Sequence, residues 1–503
     1  MERSVCQNDI TDGRVVMQKK ICENGDTQIF FGLYYGKSCT IKKIRIDEIV
    51  GIKSKVLREI SFLKKIQHEN IVKLYSVCYD DSNIYIILES GDENILELCH
   101  RDLKPNILTD VINGLRHIES NGYIHGDASF KNILRFKNVF KLIDFGSVTK
   151  TYRTSAVKLP TQYITPPEMI NKSDIYPNKI DAWAVGCLAY YVSTGNMIMR
   201  GCDIFYNDKK INQLLNKNPL ERNSVSEYYV KHIKKQNTLK LIEYSTKRIL
   251  LSDCEIFCNP VINSNSFRRG QQRCNLIQIY LHLNISNCVP VENIFIALKL
   301  MNLVSIKSAD EYMIVGLILY YLTTKIVSNK EVNSVDIMSY INWMVSKELK
   351  IRSLRDFNKR VIALLFELNW NIDIDTQISH IQTLNDSNKT KYLEVCLTLL
   401  CCPEYDVFSY DFLHKVVLAI LECCIESTTK HVIETDNHHL LLSVATKILT
   451  SLKDMKLNNT STINEVLMAY FKSTNNYDYL EWIDRVDLKR ICGLGSVVKM
   501  KIC

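Results

Sequence analysis

Apolar and polar positions alternate differently in the two halves of the chain. Between Val16 and about Phe145, short runs with strand character, such as Thr40–Ile46 and Ile84–Leu88, interleave with helical stretches such as Lys55–Ile66 (KVLREISFLKKI). That is the pattern of a mixed α and β unit. Beyond about Asn275 the strand signal fades and apolar residues recur at i, i+3, i+4 and i+7. The sets are Ile294/Ala297/Leu298/Met301, Ile314/Leu317/Ile318/Tyr321, Val361/Leu364/Leu365/Leu368, Leu393/Cys396/Leu397/Leu400, Leu413/Val416/Val417/Ile420 and Ile463/Val466/Leu467/Tyr470. Each predicts a helix with one apolar face. Together they predict an all-α domain or a tandem pair of them, and a helical repeat array explains the stripes equally well. Between the halves, Asn259–Arg273 (NPVINSNSFRRGQQR) is polar with Pro, Gly and Ser, which predicts a linker.

Length and composition narrow this picture. At about 150 residues per domain, 503 residues suggest two to four domains with ample core. Apolar residues at 46% and charged residues at 23% exclude a disordered or fibrous chain. A net charge of +8 spread over this length is too small to argue for nucleic acid. Met1–Asp9 has no apolar run, so no export signal is expected and the 18 cysteines are expected to be reduced. The longest apolar stretch, Tyr312–Val327, is interrupted by Thr323, Thr324 and Lys325 and falls short of the roughly 20 residues that span a bilayer. No membrane contact and a cytoplasmic or nuclear location are therefore expected.

The candidate chemistry lies in the first half. Lys42 sits on an alternating strand, Ser38–Arg45 (SCTIKKIR), and Glu59 on the helical run that follows. Such a pair can hold an ammonium against the α and β phosphates of ATP. Further on come His125-Gly126-Asp127, with Asn132 five residues after Asp127, and Asp144-Phe145-Gly146 after the strand-like Val139–Ile143. Phosphoryl transfer needs a carboxylate to orient the attacking hydroxyl (Asp127), an amide and a carboxylate to hold Mg2+ (Asn132, Asp144) and a cation on the phosphates (Lys42).

These elements, in this order, resemble the protein kinases of the eukaryotic type. The resemblance implies a bilobal α+β kinase fold over residues 14–262, with the N-lobe reaching to about 91. It implies Asp127, Lys42 and Glu59 as catalytic, Gly25, Lys42, Glu89, Gly91, Asn132 and Asp144 as nucleotide-binding, and ATP with Mg2+ as cofactors. Thr161 with Pro166-Pro167-Glu168 resembles the end of the activation segment and favours Ser/Thr substrates. Asp181 and Trp183 resemble the start of the buried F helix. Arg248 is the candidate partner of Glu168, with Arg222 competing. Ile41–Leu74 closely resembles the same stretch of cyclin-dependent kinases, with Lys53–Glu59 where the cyclin-docking sequence lies. His100–Asn106 (HRDLKPN) matches the catalytic-loop signature letter by letter. Its Asn106 is only four residues after Asp102, however, and a helix pattern follows instead of a strand and Asp-Phe-Gly, so catalysis is assigned to Asp127.

The chain also departs from that family pattern. Ile21–Gly32 (ICENGDTQIFFG) keeps Gly25 and Gly32 but no regular glycine-rich loop, Ser129 stands where a phosphate-contacting lysine is usual, and Lys131 lies two residues on. Gly126 replaces the arginine that helps bind a phosphorylated activation segment, and Thr149 falls where a second arginine is usual, leaving Arg58 with Lys150 as a second candidate. A phosphate near Ala156, on Thr154 or Ser155, would then find few partners, so activation without phosphorylation is expected. Pro160 and Thr165 replace residues that shape a proline-directed pocket.

Beside such a kinase, the helical half resembles a cyclin. Glu292–Ile372 resembles a cyclin box within residues 274–375, after a linker at 263–273, and a second, diverged box is expected over 376–485. Lys325 matches the box lysine that contacts the kinase, while Val361 stands where its glutamate companion is usual. The resemblance thus implies an intramolecular contact through Leu57, Arg58 and Lys325, with proteins as substrates. Tethering gives an effective concentration on the order of millimolar, enough to occupy even a weak interface. The expected function is a Ser/Thr kinase activated in cis. The alternative is a catalytically dead scaffold that sequesters cell-cycle regulators.

Overall fold

The structure is a computed structural model. It describes residues 14–47, 49–94, 106–171, 173–198, 208–233, 269–328, 332–376, 378–379, 386–400, 410–422 and 443–449. Outside these residues lie His100–Pro105 of the second signature, Arg248, most of the expected linker, and much of the expected second box, including the helix at Ile463–Tyr470. The described residues form two units. The first takes in 14–233 with Lys325–Met338 and Ile351–Asp373; the second takes in 269–324, Ser339–Lys350 and the residues from Ile374 onward.

The first unit begins with an antiparallel sheet of β1 (Val15–Asn24), β2 (Thr27–Tyr34), β3 (Lys37–Arg45), β4 (Leu74–Tyr79) and β5 (Asn83–Glu89), in the order β1-β2-β3-β5-β4. The pleat sorts its side chains. On β3, Cys39 and Ile41 enter a core with Val15, Cys78, Tyr85 and Ile87, so Lys42 emerges on the opposite face between its neighbours Ile29 and Ile86. Helix α1 (Ser54–Lys65) meets that face. It buries Val56, Leu57, Ile60, Phe62 and Leu63, and also Arg58 and Glu59, so the helix is enclosed on nearly all sides.

After β6 (Glu93–Asn94), α2 (Asn106–Ser120) buries the stripe Ile107, Val111, Leu115 and Ile118. Gly114 on this helix lets it approach closely, since a Cβ there would lie 3.0 Å from both Asn70 O and Leu142 Cδ1. Two small sheets then carry the loops of interest: β7 (Tyr123–Ile124) pairs with β10 (Thr149–Lys150), and β8 (Ile133–Phe136) lies between β6 and β9 (Val139–Leu142). Helix α3 (Pro167–Ile170) precedes α4 (Pro177–Thr194), which is buried all along from Ile180 to Ala189. Then come α5 (Lys209–Leu214) and α6 (Val225–His232), the latter opened by a reciprocal Ser224–Glu227 capping box.

The second unit is helical. It contains α7 (Arg269–Asn287), α8 (Glu292–Met301) and most of α9 (Ala309–Val327), whose last turn from Lys325 groups with the first unit. The helix α7 starts at Arg269, so Arg269–Arg273, expected to be linker, are helical: Arg273 is buried and its Nε donates to Leu400 O at 2.7 Å. A buried polar chain crosses these helices. Tyr320 donates to Asn284 Oδ1 (2.8 Å), Asn284 to Asn293 Oδ1 (2.9 Å), and Asn293 to Thr324 Oγ1 (2.9 Å). Each buried group finds a partner, which removes the desolvation cost of burying them. Helix α10 (Ser334–Met344) is divided after Met338, its start grouping with the first unit, and α11 (Leu354–Glu367) belongs wholly to the first unit; the second unit adds α12 (Asp386–Leu400) and α13 (Tyr410–Glu422), where Tyr392 and His414 share a hydrogen bond of 2.7 Å. No helix among the described residues is long and apolar enough to cross a membrane.

Candidate active site

Five residues singled out by their chemistry make two linked groups. On the sheet side, Lys42 Nζ lies 2.7 Å and 3.0 Å from the two carboxylate oxygens of Glu59 and 3.2 Å from Asp144 Oδ1. Burial opposes the charge on Lys42, but the two carboxylates outweigh it and hold the ammonium protonated above its ordinary range. Burial pushes the Glu59 carboxyl up against the pull of Lys42. Burial also opposes ionisation of Asp144, yet the Lys42 charge and hydrogen bond leave it below the usual carboxylate value.

Asp144 takes a left-handed backbone (φ +60°), a conformation that Asp tolerates better than most residues. The strand β9 delivers it there, and Ile143 N donates to Asn132 O at 2.9 Å. Phe145, directly after it, is fully buried, stacks on Phe62 of α1 (4.7 Å) and meets His125 at a tilt (4.8 Å). These ring contacts tie the helix bearing Glu59 to the loop bearing Asp127.

On the loop side, Asp181 at the start of α4 accepts hydrogen bonds from His125 N (2.7 Å) and Gly126 N (3.0 Å), which pins the backbone just before Asp127. Asn132 Nδ2 donates to Asp127 O (2.8 Å) and Asp127 Oδ2 (3.2 Å), and Thr161 N donates to Asp127 Oδ1 (2.9 Å). Lys131 Nζ lies 3.9 Å from Asp127 Oδ2, whereas the Ser129 hydroxyl is buried without a partner. Gly126, read from sequence as a lost arginine, also meets a backbone demand. Its φ is +76°, and a Cβ would stand 2.9 Å from Ser147 O.

The remaining expected nucleotide contacts are placed as follows. Gly25 heads the two-residue turn from β1 to β2 with φ +58°, as a type II′ hairpin requires at that position. The Glu89 carboxylate is held by Lys141 (2.8 and 2.9 Å) and Lys73 N (2.6 Å), and its own N–H donates to Lys73 O (3.0 Å). At Gly91 a Cβ would press on Phe136 and Leu134 at 3.0–3.1 Å.

Glu168 pairs with Arg222, the competing candidate, while Arg248 lies outside the described residues. Both nitrogens of the Arg222 fork bond the Glu168 carboxylate at 2.7 and 2.9 Å, the pair is wholly buried, and the guanidinium lies 4.9 Å from the Trp183 ring centroid. Two further bonds, to Asn216 O and Lys179 O, satisfy this arginine. On α1, Leu57 is fully buried and Arg58 donates to Ser328 O at 2.7 Å. Lys325 Nζ donates to Val50 O (2.8 Å) and Ile52 O (3.0 Å), and Ser334 N to Ile49 O (3.0 Å), all within the first unit. Val361, which the resemblance sets where a companion glutamate is usual, is fully buried.

One pair escaped the reading of the sequence: Arg153, after Asp144-Phe145-Gly146, and Asp373, 220 residues away, meet at 2.7 Å and are both buried. No local pattern around Asp373 signals a charged contact.

The arrangement presents a fixed cation, a carboxylate held by the Asn132 amide and Thr161 N, and two hard oxygen donors, Asp144 and the Asn132 carbonyl left when its amide turns to Asp127. Compared with known families, residues 28–270 match the protein kinase domain; the match opens in β2, after β1 and Gly25. What the described part of this stretch holds, from strand lysine to Glu168, is accordingly a protein kinase domain.

Proposed function

We propose that the chain is a Ser/Thr protein kinase that moves the γ-phosphoryl group of ATP to protein hydroxyls, with its C-terminal helices acting in cis as a cyclin-like activator. The observation that carries the reading is the closed Lys42–Glu59 pair beside Asp144, because a lysine so held offers its charge at a fixed point for phosphate. Asp127 accepts and orients the substrate hydroxyl. Its carboxylate is steered by Asn132 and by Thr161 N, the latter from the segment against which a peptide would lie. Asp144 and Asn132 suit Mg2+, a hard cation that takes oxygen ligands. When bound, Mg2+ neutralises charge developing on the phosphates.

Support for control in cis comes from both ends of the segment before Glu59. Lys325 donates to carbonyls at Val50 and Ile52, just ahead of α1, while Arg58, next to Glu59, donates to Ser328 O. These bonds fix the register in which Glu59 faces Lys42, so α1 is an element that they can bias between two states. Since Lys325–Met338 and Ile351–Asp373 group with the kinase residues, a substitution in the intact chain tests this better than a cut near residue 262.

The dead-scaffold reading draws on the buried, unpartnered Ser129 hydroxyl where a cation is usual. Transfer of radiolabelled phosphate to a degenerate Ser/Thr peptide library, with Asp144→Asn as control, separates the two. Incorporation above the control supports the kinase; equal incorporation supports the scaffold.

A further inference from the structure

The activation segment runs from Asp144 to Glu168 and is tied at both ends, by Lys42 at one and Arg222 at the other, with Thr161 bound to Asp127 between them. Its middle has its own tether. Arg153 closes a tight turn, accepting from Ala156 N (3.1 Å) and donating its own N–H to Lys150 O (3.0 Å), while its guanidinium donates to Asp373 Oδ1 at 2.7 Å. Lys150 is buried over the ring of Tyr123 at 4.2 Å, and Lys65 of α1 lies 5.7 Å from the same ring.

The segment that carries Asp373 is packed and hydrogen-bonded on several sides. It follows α11 through Asn369 and Trp370, two consecutive residues with positive φ (+48° and +61°), and Trp370 N donates to Leu365 O at 2.7 Å. Trp370 and Ile372 are fully buried, and Lys64 of α1 donates to Asn369 Oδ1 at 2.9 Å. A carboxylate on such a support is held in place before any substrate arrives, and preorganised charge is what a positioning contact needs. Ala156, where the family resemblance puts a phosphorylated residue, is buried.

We propose that Asp373 is a positioning residue: its carboxylate, through Arg153, holds the activation segment in the peptide-accepting arrangement that other kinases reach by phosphorylating that segment. The proposal rests on the kinase reading for its consequence and on geometry for its substance. Burial works against the Asp373 charge, yet Arg153, Lys150 and Lys65 more than offset it, and the carboxyl stays below its ordinary value. The anchor is therefore always charged at neutral pH, unlike a phosphate that must be added.

The test uses the full chain as wild type, Asp373→Asn and Asp373→Glu. Hydrogen exchange should show amides of residues 148–157 losing protection about tenfold or more in Asp373→Asn, with β3 and α1 unchanged and Asp373→Glu recovering part of the loss. With the radiolabelled peptide library, Asp373→Asn should lower kcat/KM for peptide about tenfold while KM for ATP stays within about twofold. Phosphatase treatment of the wild type, and the double change Thr154→Ala with Ser155→Ala, should leave transfer unaltered. Unchanged protection in Asp373→Asn, or loss of wild-type transfer on phosphatase treatment, overturns the anchor. Should Asp373→Asn not fold, Arg153→Gln gives the same exchange comparison. Should the wild type transfer no more than Asp144→Asn, the kinase reading fails, and the exchange measurement still decides the anchor.

Discussion

The Lys42 cluster and the Asp373 cluster are both buried sets of charges, yet they are balanced in opposite ways. Around Lys42 two carboxylates share one ammonium, and burial drives the Glu59 carboxyl upward against the pull of Lys42, with the nearby Asp144 charge adding to the rise. Around Asp373 several cations serve one carboxylate, which stays depressed despite burial. A buried charge is tolerable only with adequate partners. On the proposed reading the first cluster is the conditional one, with α1 held against it through Arg58 and Lys325, whereas the second supplies its own anchor. Catalytic competence would then be decided at α1, and the activation segment would be set once, on folding.

The most severe way to break this contrast is Asp144→Asn. Losing one of two hard oxygen donors should lower phosphate transfer on the order of 10³-fold. Thermal melting should nevertheless be unchanged or slightly higher, since Glu59 no longer shares Lys42. A large fall in melting temperature would show that the three-charge group is stabilising as it stands, and the asymmetry drawn above would be lost.

Next in size is Lys325→Met, which removes donors from Val50 O and Ile52 O while keeping the buried stem. A buried acceptor left unsatisfied costs about 1–3 kcal/mol. If that cost is taken by the α1 register, kcat should drop about tenfold or more while exchange at residues 148–157 stays at the wild-type level. Equal loosening of both regions would make them a single element.

How far the sequence alone exposed these two regions follows from the same contrast. Lys42, Glu59, Asp127, Asn132 and Asp144 stand out because phosphoryl transfer restricts residue type and spacing together, and the structure brings all five into two linked groups. Glu168 has a buried partner that could be narrowed only to Arg222 or Arg248, since arginines look alike in sequence until one is enclosed by Trp183 and the Lys179 carbonyl. Gly126 reads as a missing charge because sequence shows side chains and not φ. Asp373 is silent: a lone aspartate after a helix gains meaning only from a chain segment 220 residues earlier. The helix stripes from Ile294 to Ile420 located α8, α9, α11, α12 and α13, but Arg269–Arg273 looked like linker because its polar residues hide a buried Arg273.

Gly126→Ala probes the joint between the two regions. A non-glycine residue in the left-handed region costs roughly 1–2 kcal/mol, and here the added methyl also meets Ser147 O at 2.9 Å. We expect a lower melting temperature, with kcat falling because Asp127 shifts and KM for ATP holding steady. A change confined to KM for ATP would place the strain on the Lys42 side instead.

The smallest expected effect is also the most direct reading of the opposed charge balance, because the two acids should bend the pH dependence of stability in opposite senses. For Asp373 the folded-state value lies below the ordinary 3.8, so its contribution is fully present above 3.8 and is lost as pH falls through the depressed value. For Glu59 the folded-state value lies above the ordinary 4.5, so the folded state binds the proton more tightly there and stability falls as pH rises past 4.5. Chemical denaturation followed from pH 3 to 7, about the range in which both act, should therefore show Asp373→Asn flattening the rise at the acid end and Glu59→Gln flattening the decline above it. Slopes that change in the same direction for both variants would mean that Glu59 is stabilised by Lys42 as fully as Asp373 is by its cations, and α1 would need no external hold.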